Sequence, residues 1–532
     1  MSYQDAGAAQ TSGSAAPAVL TIASTGASGS ASPTGQASQP VATTNAQTQA
    51  TAPQALSLRG DDDIQGNILA GFNKDNVAFL FVAFERDGTG AVTPASRAWL
   101  ASLVPNVATN AEVTHFNEQF SKRRNELGAA DPSDMFVTWI GLSFTGGGLR
   151  AVGGSIVADT IGSDHRLDVG AAAVAAQNGD SDPTTWLFGH PDAFQPDAIV
   201  TVAGDRFFEV EAKWRRIQDR AKAANCEVRV EIGATLPGDK VGHEHFGFKD
   251  GVSQPAVFGY DEEDPSAPGF ASGSPGVALV HAKQFLVGDG TEQRPGDWTW
   301  HGSHMVYRRL VQDVAGFWTQ VQRAVDALNE QTTGKATGAS TSTDALASKL
   351  MGRWRNGAPV ALYPDGDPGS IRPTERDNDF RFGSAIATAA CPFASHVRKM
   401  HPRDDFPGED HRIIRRGIPF GDPFDPTSTD TARGLHFVCY AASFDAFERL
   451  QLSWANGQTP MGSGGQDPII RTTTGSNVVE LPSADITPTP TIDFPSFVTL
   501  TAAVYAFTPT ISSLRLLVNG DTTAGTNAPQ KS

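Results

Sequence analysis

The residues best placed to do chemistry lie in one short run, His245-Phe246-Gly247-Phe248-Lys249-Asp250-Gly251-Val252-Ser253-Gln254-Pro255. Gly247 and Gly251 bracket Asp250; Gly251 accepts backbone conformations that a Cβ resists, and Pro255 forbids a helix interior or a central strand. The pattern predicts Asp250 on a tight, rigid turn beside the apolar bulk of Phe246 and Phe248. Such a carboxylate is either a turn device, since Asp before Gly is common turn chemistry, or an acid/base group.

A second run, Cys391-Pro392-Phe393-Ala394-Ser395-His396-Val397-Arg398, sets a histidine among small and apolar residues. A neutral imidazole there can ligate a metal, although a lone histidine is more often structural. Arg398, Arg403, Arg412, Arg415 and Arg416 form a cationic cluster in an acidic chain. They suit an anionic partner such as a propionate or phosphate, or the chain's own surplus carboxylates. His243 with His245 and His301 with His304 have metal-like spacings, but neither pair brings the remaining ligands. No phosphate loop, dinucleotide-binding glycine motif or Gly-x-Ser-x-Gly elbow is present.

These residues must be held by a framework. Apolar runs predict strands at 77–84, 135–144, 198–203, 227–232, 277–287, 305–310, 436–440 and 497–507. Helical spacing marks 96–103, a helix capped by Asp205 that carries Val210, Trp214, Ile217 and Ala221, one along Leu310 to Leu328, and one at 444–454. Too few parallel crossovers are visible for a doubly wound sheet. The fold class is therefore α+β, antiparallel sheets with helices, in two similar halves rather than one large sheet. The organisation expected is a disordered Ala/Ser/Thr-rich leader over 1–56, domains over 57–240 and 241–515, and a loose tail over 516–532. The Gly/Thr/Ser-rich stretch 334–343 is expected to be a surface loop.

Composition narrows the partners. Asp and Glu number 58 against 41 Lys and Arg, a formal net charge of −17 over 532 residues. That disfavours nucleic acid and anionic membrane. No apolar run reaches the roughly 18 residues of a membrane span. Cys226, Cys391 and Cys439 form no Cys-x-x-Cys, so a zinc ribbon, a redox pair and covalent haem attachment are excluded, and buried thiols are expected. No secretory or twin-arginine segment is visible, which points to the cytoplasm and leaves an extracellular site open.

Three motifs in order carry a resemblance: Gly247-x-x-Asp250-Gly251, then Cys391-Pro-Phe-x-x-His396, then Arg415-Arg416-Gly417-Ile-Pro419-Phe-Gly421. With Asp61 to Leu69 and Gly434 to Tyr440, they resemble the dye-decolourising peroxidases, specifically the larger subgroup that includes fungal enzymes. The resemblance runs from about residue 58 to about 515. It implies two ferredoxin-like domains enclosing non-covalent haem b. His396 matches the proximal iron ligand, Asp250 the distal carboxylate and Arg415 the distal arginine, chosen over Arg416 because it stands four residues before Pro419. Asp467 matches the acid that hydrogen-bonds the proximal histidine, and Leu435 and Phe437 match positions lining the distal face of the haem. Trp454 matches a proposed surface electron-transfer tryptophan, with simple packing as the alternative. Phe420 stands where the family often has tyrosine, and phenylalanine forms no tyrosyl radical.

The resemblance implies a peroxidase that reduces hydrogen peroxide and oxidises dyes, phenols and other bulky aromatic reductants in one-electron steps. Aspartate ordinarily ionises near pH ~3.9, so an acidic optimum is expected. The alternative is a haem-binding or haem-processing, deferrochelatase-like protein of the same fold. Oligomeric state, physiological reductant and encapsulation are open at this stage.

Overall fold

The apolar run near the start of the fold forms strand β1 (Asn76–Ala83), buried on both faces. Ala78, Leu80 and Val82 face one core, with Trp99, Leu100, Val210, Trp214 and Ile217. Phe79 and Phe81 face a second core, with Met305, Tyr307, Val438 and Tyr440. Burial on both sides is why this strand reads as continuous rather than alternating.

The computed structural model describes residues 57–519, apart from residue 129 and the segments 289–296, 333–340, 370–376, 406–410, 428–431, 459–463 and 483–488. The expected leader 1–56, most of the expected loop 334–343 and residues 520–532 of the expected tail lie outside the described residues.

The first half continues through α1 (Pro94–Leu103), α2 (Asn110–Glu126), β2 (Thr138–Phe144), α3 (Gly146–Gly153), β3 (Ala198–Gly204), α4 (Phe207–Ala223) and β4 (Glu227–Ala234). The second half comprises β5 (Ser303–Gln312), α5 (Val314–Thr332), α6 (His396–Met400), β6 (Ile414–Arg415), β7 (Ile418–Phe420), β8 (Gly434–Ala441), α7 (Phe444–Glu448), β9 (Val498–Thr508) and α8 (Ile511–Asn519). The sheet order is β4-β1-β3-β2-β9-β5-β8-β6, with β7 also on β8. If β6 and β7 count as one interrupted strand, each half runs fourth, first, third, second. That is the ferredoxin-like arrangement, antiparallel throughout.

The two similar halves expected are present, and the expectation that they do not form one large sheet is corrected. β9, paired along one edge with β5, meets β2 on its other edge at Phe507 opposite Phe144, giving one nine-stranded sheet. The seam is fastened by buried Gln65. Its amide nitrogen donates to the carbonyls of Leu142 and Pro509, both at 2.7 Å, and its amide oxygen accepts the Leu142 N–H at 2.9 Å. The two ends of the sheet also approach each other. A Cβ at Gly233 in β4 would sit 2.5 Å from Ile418 and 2.8 Å from the Pro419 carbonyl, so only glycine fits there.

Other expectations shift for local reasons. Asp205 does not cap α4; its carboxylate takes the Lys74 ammonium and the Val137 N–H, each at 2.9 Å. Leu310 belongs to β5, and its helix begins at Val314. The extended segment 277–287 contracts to a two-residue strand, Leu279–Val280. Residues 516–519 are not loose, because α8 runs to Asn519 and buries Leu517 and Val518. The three cysteines are free and buried. Among the described residues, no helix is long and apolar enough to cross a membrane.

Candidate active site

The turn carrying Asp250 is as rigid as its sequence implies. Gly247 and Gly251 adopt φ of +97° and +73°, a region favouring glycine. Phe246 and Phe248 are buried, Phe246 stacking on Phe317 with ring centres 4.4 Å apart. Asp250 Oδ1 accepts the Gly251 N–H at 2.6 Å, so the turn device is real. The carboxylate is nonetheless 43% exposed, and Arg415 Nη1 lies 3.7 Å from Oδ1. Both residues line one cavity.

Arg415 is placed by β6 and by the same turn. Its Nη2 donates to the Ser253 carbonyl at 2.6 Å. The Gln254 side chain accepts the Arg415 N–H at 3.3 Å and donates to the Arg415 carbonyl at 3.1 Å. The preference for Arg415 over Arg416 has a physical basis. Arg416 is spent on the backbone carbonyls of Asn67, Ile68 and Leu69. Burial lowers its pKa to about 10.

His396 opens α6 and lines the same cavity. Its Nδ1 lies 2.8 Å from Asp467 Oδ2. Asp467 is fully buried, and its other oxygen accepts the N–H groups of Ile469 and Ile470. A carboxylate can only accept, so Nδ1 donates to it, and in the neutral imidazole Nε2 is the nitrogen with the lone pair. Among the described residues, Nε2 makes no hydrogen bond.

The cavity walls include Phe246, Phe248, Leu435, Phe437, Leu450 and Ile469, with Arg353, Arg403 and Arg412 among its cations. Leu435 and Phe437 therefore share the cavity with Asp250, Arg415 and His396. The arginine cluster divides. Arg398 is paired with Asp405 at 2.6 Å, whereas buried Arg403 Nε and His401 Nδ1 have no hydrogen-bond partner. Burial, then Arg412, Arg403 and Arg353, hold the His401 pKa well below its usual range. His401 is therefore neutral; its Nε2 accepts from Arg412 at 2.5 Å, leaving an Nδ1–H donor.

This lining fits a haem. Apolar walls suit a porphyrin, the guanidinium groups of Arg353, Arg403 and Arg412 on the lining suit propionates, and one imidazole nitrogen makes no hydrogen bond and suits iron. Burial pushes the Cys391 thiol up to about 11 and the Cys439 thiol up to about 12, so neither offers a thiolate near neutral pH. Among the described residues, no three His, Cys, Asp or Glu side chains converge as a ligand set.

Trp454 is corrected as a surface group. It lies in the π-helical turn Arg449–Ala455 after α7 and is only 2% exposed, because that turn packs its indole inward. It meets His411, another cavity-lining residue, edge-on at 5.9 Å. Phe420 is likewise buried, stacked 4.5 Å from His436. Sequence reasoning missed Glu244, Gln254, Arg353 and His401. Gln254 stands at the end of the first motif and His401 five residues after His396, but the sequence assigned neither a role.

Comparison with known proteins agrees with this architecture. Residues 63–236 match the family profile described as the DyP dimeric alpha+beta barrel domain, and residues 280–460 match the Dyp-type peroxidase C-terminal profile. The chain is 31% identical to the dye-decolorizing peroxidase of Exidia glandulosa, over 86% of this chain and 87% of that one. It is 30% identical to the dye-decolorizing peroxidase msp1 of Mycetinis scorodonius, with the same coverage. A solved dye-decolorizing peroxidase in complex with 2,6-dimethoxyphenol superposes with a TM-score of 0.69 at 27% identity, over 87% of this chain and 99% of that one. The chain thus belongs to the dye-decolourising peroxidase family, and it is a peroxidase.

Proposed function

We propose that the chain holds haem b non-covalently through His396, reduces hydrogen peroxide, and oxidises dyes, phenols and other bulky aromatic reductants one electron at a time, best at acidic pH. One observation carries this reading: Asp250, Arg415 and a histidine with a free Nε2 share one cavity.

Haem supplies the redox iron that takes electrons to peroxide and recovers them singly from the reductant. The chain supplies the rest. Asp250 accepts the proton from one oxygen of hydrogen peroxide and returns it to the other, which leaves as water. A positioned proton shuttle contributes roughly 10²–10⁴-fold. Arg415 holds fixed positive charge where negative charge develops on the departing oxygen. Asp467 orients His396 and raises its basicity as a ligand. Arg403, Arg412 and the Nδ1–H of His401 would hold propionates. The related enzyme's 2,6-dimethoxyphenol complex supports phenolic reductants.

The test is spectroscopic. Haem-loaded protein should show a Soret band that shifts on adding peroxide and recovers on adding 2,6-dimethoxyphenol, faster at pH 4 than at pH 7. A haem-loaded protein whose Soret band ignores peroxide would contradict the peroxidase reading of this site.

A further inference from the structure

Glu244 builds the turn that carries Asp250. Its Oε2 accepts the Phe246 N–H at 2.8 Å and the Gln312 amide at 2.6 Å, and its Oε1 accepts the Phe248 N–H at 2.9 Å. Its backbone closes the same turn: the Glu244 N–H donates to the Phe248 carbonyl at 3.0 Å, and the Gly247 N–H donates to the Glu244 carbonyl at 2.9 Å. Asp250 follows two residues later, its N–H on the Gly242 carbonyl at 2.8 Å. Glu244 and Gln312 both line the cavity with Asp250.

Three donors converge on one side chain, so its chemistry is constrained. An ionised carboxylate satisfies all three. Burial opposes that charge and pushes the carboxyl up to about 7. The structure also provides for the neutral form. Gln312 Oε1 is buried and unpartnered. Rotating that amide presents Oε1 to a Glu244 O–H, whose oxygen still has a lone pair for the Phe246 N–H. An amide at 244 cannot do this, because its nitrogen accepts nothing. Either orientation of a glutamine leaves one N–H of the turn facing another donor, at any pH. The ionisable groups sharing the cavity wall with Glu244 include Lys249 and Asp250 on its own loop, Arg308 on β5 and Arg415 on β6, with His396 on α6 and the arginines Arg353, Arg403 and Arg412 on the rest of the lining.

We propose that Glu244 is a positioning residue for the peroxide step, holding the 244–250 turn so that Asp250 faces the cavity, and that Gln312 is its adapter between protonation states. This rests on the assignment of Asp250 as proton shuttle. The experiment is a double-mutant cycle on haem-loaded protein, following the peroxide-driven Soret change by stopped flow in wild type, E244Q, D250N and the double variant. E244Q should retain haem and lose on the order of 100-fold in rate, the scale on which a misplacement of about 1 Å acts. The double variant should react no more slowly than D250N alone. A wild-type rate in E244Q, or an equal slowing by E244Q in the D250N background, would overturn the inference. If E244Q fails to hold haem, Gln312→Met removes one donor without touching the turn. It should slow the reaction several-fold in the wild-type background only, and an unchanged rate there overturns the inference. A D250N variant as fast as wild type would remove the shuttle assignment and this inference with it. Failure confined to E244Q and Gln312→Met leaves the shuttle intact.

Discussion

Nδ1 of His396 sits 2.8 Å from Oδ2 of Asp467, a carboxylate with no exposed surface whose other oxygen is fixed by two backbone N–H groups. The imidazole is thereby locked in tautomer and orientation by a partner 71 residues away in the chain. In the proposed function, its Nε2 is the atom that would ligate iron.

Removing either member should show in haem binding. His396→Ala should be purified without haem and fail to take it up in titration. Asp467→Asn preserves volume but not charge, and should weaken haem affinity or slow the peroxide reaction by about 10- to 100-fold. Full haem retention by His396→Ala would remove it as the ligand.

Adjacent arginines should give opposite phenotypes. Arg415→Leu should fold, bind haem and slow the peroxide reaction by roughly 10²–10³-fold, the scale for losing one charge-stabilising donor. Arg416→Leu strips a donor from the buried carbonyls of Asn67, Ile68 and Leu69, each worth about 1–3 kcal/mol if left unpaired. It should lower the thermal midpoint markedly. Stopped-flow rates and melting curves on both variants separate the roles, and a reversed pattern would return the distal role to Arg416.

How much of this was legible without coordinates follows from how local each signal is. The strand Asn76–Ala83 could be read because both faces are buried and every position after Asn76 is apolar. The repeated strand order could not, because it is a property of pairing and leaves no residue-level repeat. Asp250, His396 and Arg415 were picked out as candidates by the order and spacing of motifs that carry the family resemblance, and one cavity brings them together. Gln254 was not, because its role lies in bonds spanning 161 residues, nor was Glu244, whose turn bonds leave no motif and whose bond to Gln312 spans 68. The burial of Trp454 was equally illegible, since a tryptophan at a helix end reads the same whichever way the turn rolls it.

Stability should respond to acid through His436. This imidazole is fully buried, with Nδ1 at 2.9 Å from the Tyr307 hydroxyl, and burial lowers its pKa to about 3 from an ordinary value of 6.5. Between those values the unfolded chain binds the extra proton. The stabilising contribution is therefore complete above about pH 6.5 and is lost as pH falls toward 3, by at most about 1.4 kcal/mol per unit. Melting temperatures of wild type and His436→Gln, measured from pH 7 to pH 3, should converge toward acid. Parallel curves would show that His436 is not a source of acid lability.

The most direct test of the central claim is the rate at which haem-loaded Asp250→Asn reacts with hydrogen peroxide, followed at the Soret band beside wild type. The account predicts haem bound as in wild type and a reaction slowed by roughly 10²–10⁴-fold, the contribution of a positioned proton shuttle. An unchanged rate would contradict it and leave Asp250 as a turn residue.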